Sequence, residues 1–190
     1  MTARGYAALG LHQPKNRLNV GEIMRAAGCY GVSMVAVCGR RFERSKTDTQ
    51  DAWKHLPTIN VADLMDAVPY GAVPVAVEFI DTATPLPQFT HPERAYYLLG
   101  PEDGSLPTDL VKRCRHVVYV PSRHCMNLAA TANVLLYDRM VKRQAIEAAY
   151  SAKRVPAQHA LEILAAQHSS AITSVANRCF LANSVPGGKV

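Results

Sequence analysis

Apolar and polar positions alternate along the chain between short β-branched runs and stretches of helical spacing. Tyr6–Leu11, Ser33–Cys38, Val73–Phe79, Ala95–Leu99 and Val117–Val120 are almost unbroken apolar runs, the pattern of strands covered on both faces. Pro74 has no amide to donate, so it must stand at the start of its strand or on a sheet edge. Between these runs, Asn19–Tyr30 predicts a helix punctuated by Ile23, Met24 and Ala27, with Asn19 as N-cap and Glu22 three residues later in a capping-box spacing. Gly31 suits a left-handed closing turn. Val61–Val68 predicts a short helix, Pro107 the first turn of one reaching about Arg113, and Asn127–Arg143 a long apolar helix. Gly39–Pro57 reads as a polar loop, Thr82–Pro92, with three prolines, as a connection, and Gly100–Ser105 as a turn-rich loop. Strands alternating with helices predict an α/β fold, a mostly parallel sheet with helices on both faces.

The chain has 190 residues, 48% of them apolar, which fits one folded domain with an appendage and excludes wholesale disorder. The character changes after Gln144. Residues 1–144 read as the main domain. Residues 145–190 read as an accessory segment with helical spacing over Ala157–Gln167 and a polar, glycine-containing tail. No apolar run approaches the ~18–20 residues of a membrane span, and the first residues lack the apolar core of a secretory signal. The five cysteines are odd in number and none lie in a CxxC spacing; this argues against a disulfide framework and for a reducing, cytoplasmic compartment. Only His124 and Cys125 are adjacent among candidate metal ligands, so no metal is expected.

The formal charge of +6 and a sequence pI near 9.2 suit a polyanionic partner such as RNA. The basic residues gather at Arg40–Lys46, Lys112–His116 and Arg139–Arg143. Each alone reads as a solvated face or helix end; together they favour a phosphate-binding surface.

Three segments carry candidate chemistry. NVGEIMRAAG places Asn19 and Gly21 at a strand-to-helix junction and Arg25 further along the helix. Free amides at a helix N-terminus attract anions, and a guanidinium binds phosphate as a planar fork. LLGPEDGSLP runs a strand into a loop with Gly100 and Gly104 around Glu102 and Asp103. Glycines there admit a ligand close to the backbone or allow a positive φ, although the same residues also make an ordinary turn into a helix. VYVPSRHCMNLAATANVLLYD ends a strand at Val120-Pro121 and opens a helix at Asn127, where Asn127 is at least an N-cap. The small residues Ala129–Ala132 permit close packing.

In this order the segments resemble the SpoU (TrmH-type) branch of the SPOUT superfamily of RNA methyltransferases. Asn19, Gly21 and Arg25 match its N-x-G-x-x-x-R. Gly100, Pro101, Glu102, Gly104, Leu106 and Pro107 match its second motif, and Pro121, Met126, Asn127, Leu128, Leu136, Tyr137 and Asp138 its third. The resemblance covers about 143 of the 190 residues. Cys125 stands where the family usually has Ser, the stretch Val120–Cys125 is shorter, and the second motif is one residue tighter.

The resemblance implies a SPOUT fold with a C-terminal deep trefoil knot over about residues 73–143 and a homodimer whose sites draw on both subunits. It implies S-adenosyl-L-methionine (AdoMet) in the loops around Val77, Glu78, Gly100, Glu102, Gly104, Val120, Pro121, Cys125, Met126 and Leu128. It further implies an AdoMet-dependent methyl transfer to a ribose 2′-OH of RNA, tRNA being favoured over rRNA. Arg25 would stand at that hydroxyl, Asn19 would orient Arg25 or the ribose, Glu102 would hold Arg25 or shape the cofactor loop, and Asn127 would fix the loop beside the methyl donor. Two other readings stand beside it. One is a non-catalytic RNA-binding or assembly protein that keeps the fold. The other is an ordinary nucleotide-binding domain, against which counts the absence of a GxGxxG or GxxxxGK[ST] motif.

Overall fold

The structure is a computed structural model that describes residues 5–39 and 54–154. It divides into compact units of residues 1–144 and 145–190, and the account below concerns the first. The Arg40–Lys46 cluster, most of the polar stretch after Gly39 and the helical spacing at Ala157–Gln167 lie outside the described residues.

Seven strands form one sheet: β1 (Tyr6–His12), β2 (Met34–Cys38), β3 (Thr58–Val61), β4 (Val73–Val77), β5 (Thr84–Pro85), β6 (Arg94–Leu99) and β7 (His116–Tyr119). Their order is β3-β2-β1-β6-β4-β7-β5, and every pairing is parallel. The five apolar runs become the five interior strands. The two edges, β3 and β5, were not foreseen. Three of the four β3 residues are exposed, so it carries no buried run to read, and β5 is a two-residue bridge inside the proline-rich connection. β3 also ends where a helix was expected; the predicted Val61–Val68 helix is a single 3-10 turn, Leu64–Ala67, capped by Asp63. Pro74 sits at the start of β4, before that strand's pairing with β7 begins at Val75, so its missing amide costs no ladder bond on that side.

Three helices follow: α1 (Arg17–Cys29), α2 (Thr108–Lys112) and α3 (Leu128–Arg154). One apolar layer packs Val20, Ile23 and Ala27 of α1 and Leu128, Ala132 and Leu135 of α3 against Leu9, Val35, Val75 and Tyr97 of the strands. The opposite layer packs Leu64, Leu106 and Leu110 against Ala8, Ala36, Ala76 and Tyr96. Both sheet faces are therefore covered, as parallel pairing requires, and the α/β expectation holds. Gly31 closes α1 at φ +65°, as the sequence suggested. Pro107 stands one position ahead of α2, and α3 runs past Arg143 to Arg154. Among the described residues no helix is long and apolar enough to cross a membrane.

Candidate active site

Parallel strands all end on one side of a sheet, and loops leaving adjacent strand ends are where open α/β sheets bind ligands. Here the loops after β4, β6 and β7 converge on a cleft of about 590 Å³. Its buried floor is Val77, Leu99 and Leu128, and its walls are the Gly100–Gly104 and Val120–Met126 loops. A second, more open cleft of about 760 Å³ lies between the start of α1 and the start of α3, lined by Lys15, Asn16, Arg17, Asn19 and Asn127. The two share Glu102, Cys125 and Met126.

Glu102 holds the boundary between them. Its Oε2 accepts from the Lys15 amide at 2.8 Å; its Oε1 accepts from the Asn16 amide at 3.0 Å and from Asn19 Nδ2 at 2.9 Å. Half-burial alone would raise the pKa of this carboxyl, but the bonds from Lys15, Asn19 and Asn16 outweigh it and hold the group below its usual range. Beside it, Lys15 Nζ binds Asp103 Oδ2 at 2.7 Å, and that bond lowers the Asp103 pKa. Glu78 makes the equivalent tie on the other side: its Oε2 accepts from the Leu106 amide at 2.7 Å, fastening the end of β4 to the loop after β6. Gly100 and Gly104 both have negative φ, so the positive-φ reading fails for them. What they supply is space. A Cβ on Gly100 would lie 3.2 Å from the Leu106 amide nitrogen, and one on Gly104 would lie 3.3 Å from Pro101 Cγ.

Two sequence expectations are corrected here. The N-cap of α1 is Asn16, whose side chain accepts from the Leu18 amide; Asn19 is a buried residue one turn inside the helix. An anion does stand at the α1 terminus, but it is the protein's own Glu102 carboxylate, which takes the Lys15 and Asn16 amides just ahead of the helix. Asn127 does cap α3, its Oδ1 accepting from the Ala130 amide at 2.7 Å.

The sequence profile of the SpoU rRNA Methylase family matches residues 7–137. The chain belongs to the SpoU family. No curated protein sequence matches it at a significant level. Among solved structures, it is similar to the SpoU methyltransferase AviRb from Streptomyces viridochromogenes, with 21% identity, a TM-score of 0.65, and coverage of 74% of this chain and 60% of AviRb. It is similar to the A. aeolicus TrmH/SpoU tRNA modifying enzyme at 17% identity and TM-score 0.67, covering 83% of this chain and 85% of that one. A protein studied for the 2-OH methylation of C/U34 on tRNA gives 23% identity and TM-score 0.63, covering 75% and 99%. This SpoU chain therefore spans about three fifths of the length of AviRb and nearly all of the last protein.

The structure gathers the expected site residues of this SpoU chain unevenly. Val77, Glu78, Gly100, Glu102, Gly104, Val120, Pro121, Cys125, Met126 and Leu128 all line the 590 Å³ cleft. Asn19, Glu102 and Asn127 meet in the second cleft. Arg25 is exposed on α1 and lines neither cleft. Within the protomer Glu102 is engaged by Lys15, Asn16 and Asn19 rather than by Arg25.

Lining residues outside the matched motif positions include Lys15, Asn16, Arg17, Phe79, Tyr119, Ser122, Arg123 and His124. Phe79 alone left a signal, an aromatic residue closing an apolar run.

The third basic cluster is not a surface. Arg139 is buried and donates to Pro92 O (2.6 Å), Tyr97 Oη (3.2 Å), Tyr6 O (2.9 Å) and Glu93 O (2.8 Å). Lys142 bonds Leu86 O at 2.6 Å and Asp138 at 2.8 Å. Asp138 also faces His91 Nε2 at 2.8 Å, while His91 Nδ1 faces Tyr97 Oη at 2.6 Å. A carboxylate only accepts, so Nε2 carries the proton and Nδ1 accepts from the tyrosine. Burial, only partly offset by Asp138, pushes the His91 pKa down to about 4. The neutral ring this implies fits that bonding pattern.

Proposed function

We propose that the protein transfers a methyl group from AdoMet to a ribose 2′-hydroxyl of RNA, tRNA being the favoured substrate. The observation that carries this is the convergence on one cleft of all ten residues expected to hold the cofactor, from the ends of β4, β6 and β7 and the start of α3. Its volume lies within the range of small-molecule sites, roughly 300–1,000 Å³, and its buried apolar floor beside open backbone suits an adenosine-containing ligand. AviRb and an rRNA methyltransferase from Sinorhizobium meliloti are both solved with AdoMet. The tRNA preference is supported by two relatives most of whose length this chain covers, a tRNA modifying enzyme and the C/U34 protein. Residues 1–144 form the catalytic domain in this reading and residues 145–190 an accessory segment. The chain over about residues 73–143 threads as a trefoil knot that locks the three loops together.

When bound, AdoMet supplies an electrophilic methyl group on a sulfonium. The work of the chain is alignment. Val77, Leu99 and Leu128 exclude water from beneath the cofactor. Glu78 and Glu102 hold the cleft loops in place. Asn127 orders the loop before α3. A guanidinium is a poor base, so Arg25 steers the ribose oxygen and a neighbouring phosphate by charge, and the hydroxyl proton passes to phosphate or water.

Arg25 lines neither cleft of its own protomer, and in this reading a second copy of the chain brings it to one. The surface for such a homodimer is an apolar stripe on α3, Val134, Tyr137 and Val141, which are 37%, 55% and 43% exposed, with Leu18 on α1 at 53%. Exposed apolar residues at i, i+3 and i+7 are the signature of a helix face that another helix covers. RNA phosphates would meet the exposed Lys112 and Arg115; Arg113 is already engaged by Asp63.

Isothermal titration with AdoMet, paired with methyl-transfer assays on total tRNA, tests the proposal. Wild type is expected to bind AdoMet and methylate, and Arg25→Ala to bind AdoMet without transferring. Wild-type-like turnover by Arg25→Ala removes the role given to Arg25. RNA binding without AdoMet binding would favour the non-catalytic alternative.

A further inference from the structure

At the rim of the 590 Å³ cleft stands an aromatic side chain that the cofactor reading does not use. Phe79 follows Glu78 directly after β4, lines the cleft and is 79% exposed. Its ring packs edge-on against Tyr119 at the end of β7, with centroids 5.2 Å apart and planes at 80°. A perpendicular pair covers at most one ring face, so the arrangement fixes the rings while leaving a flat apolar surface open. Arg123, exposed and lining the same cleft, adds a cation beside it.

We propose that Phe79, braced by Tyr119, is the stacking platform for a nucleobase of the RNA substrate at or next to the methylated nucleotide, with Arg123 taking an adjacent phosphate. The inference deepens the methyltransferase reading and rests on it. Single-stranded RNA is gripped by aromatic faces that receive unstacked bases and by cations that track the backbone; an exposed ring and a guanidinium on one cleft wall supply both. A small-molecule cofactor is an inferior occupant of this ring. The cleft already offers the buried Val77, Leu99 and Leu128 for an enclosed ligand, whereas a ring as exposed as Phe79 meets what arrives from solvent. Such a platform reads bases without regard to identity, so it confers grip and register rather than sequence choice.

The test uses the full-length protein and a single-stranded RNA 12-mer carrying one 2-aminopurine, whose fluorescence falls when the base stacks. Binding of S-adenosylhomocysteine is measured separately by calorimetry. Wild type is expected to quench the probe and to bind S-adenosylhomocysteine. Phe79→Ala is expected to lose the quenching and weaken RNA binding on the order of tenfold, with S-adenosylhomocysteine affinity within twofold of wild type. Phe79→Trp restores the quenching. Weakened S-adenosylhomocysteine binding with unchanged RNA binding would assign the ring to the cofactor and overturn the proposal. Unchanged behaviour of Phe79→Ala in both assays overturns it as well. A wild type that binds neither probe refutes the methyltransferase reading itself, a distinct result.

Discussion

Removing the Glu102 carboxylate should loosen the joint between the two clefts. Three donors converge on it, the amides of Lys15 and Asn16 and the side-chain amide of Asn19. A typical hydrogen bond contributes about 1 kcal/mol net, more when one partner is charged. The group is only half-buried, so water recovers part of what Glu102→Ala removes. The expected loss is about 2–3 kcal/mol, which for a chain of this size lowers Tm by roughly 4–12 °C. Glu102→Gln should lose about half as much, because it keeps one acceptor oxygen but turns an NH₂ donor toward a backbone N–H.

The pH dependence has a definite sign. The folded-state pKa of Glu102 is depressed, so its contribution is present above the ordinary carboxylate range and is lost as pH falls through the lower folded value. Urea denaturation of wild type and Glu102→Ala from pH 7 down to 4 measures it, and the gap should narrow toward the acid end. Asn19→Ala, added to Glu102→Ala, should cost less than it does in wild type, because the two share a bond. A Glu102→Ala protein within about 0.5 kcal/mol of wild type, the range of an ordinary surface substitution, would refute the reasoning.

Three further outcomes follow from the same structure. His91 has a folded pKa of about 4 against an ordinary 6.5, so stability is full above pH 6.5 and falls by about 3 kcal/mol as pH drops toward 4; His91→Gln should flatten that part of the pH–stability curve in urea melts. Arg139→Met removes the side-chain donor to three backbone carbonyls, of which Glu93 O keeps its bond from the Tyr6 amide, and should cost about 2–4 kcal/mol, read by thermal unfolding. Mixing Arg25→Ala with Gly104→Trp, which crowds the cleft mouth, should recover up to about a quarter of wild-type transfer if Arg25 acts across a twofold dimer; no recovery would place Arg25 in its own protomer's site.

The fold was legible where burial is two-sided. Ala95–Leu99 and Ser33–Cys38 announce interior strands because every residue meets apolar neighbours. β3 did not, since its side chains face solvent and its pairing with β2 is made by backbone. The start of α1 was misplaced by one turn because two asparagines, Asn16 and Asn19, both suit a cap. The group that separates their roles is Glu102, more than eighty residues away in sequence. Separation along the chain, 46 to 133 residues, also hid the partners of Arg139. A cluster of basic residues reads as a surface until the carbonyls of Tyr6, Pro92 and Glu93 are brought around it. The cleft residues were legible for a different reason. Their order along the chain resembles a family pattern, whereas Phe79 falls outside its motifs and Arg123 stands at an unmatched position within the third, so their shared place on one cleft wall became visible only in space.

The most direct measurement of the central claim is transfer from tritiated AdoMet to tRNA, followed by alkaline hydrolysis and identification of the labelled product. A 2′-O-methyl group blocks cleavage at its own nucleotide, so the label is expected in an alkali-resistant dinucleotide. Label on a base, or none in any RNA pool from protein that binds AdoMet, would contradict the assignment.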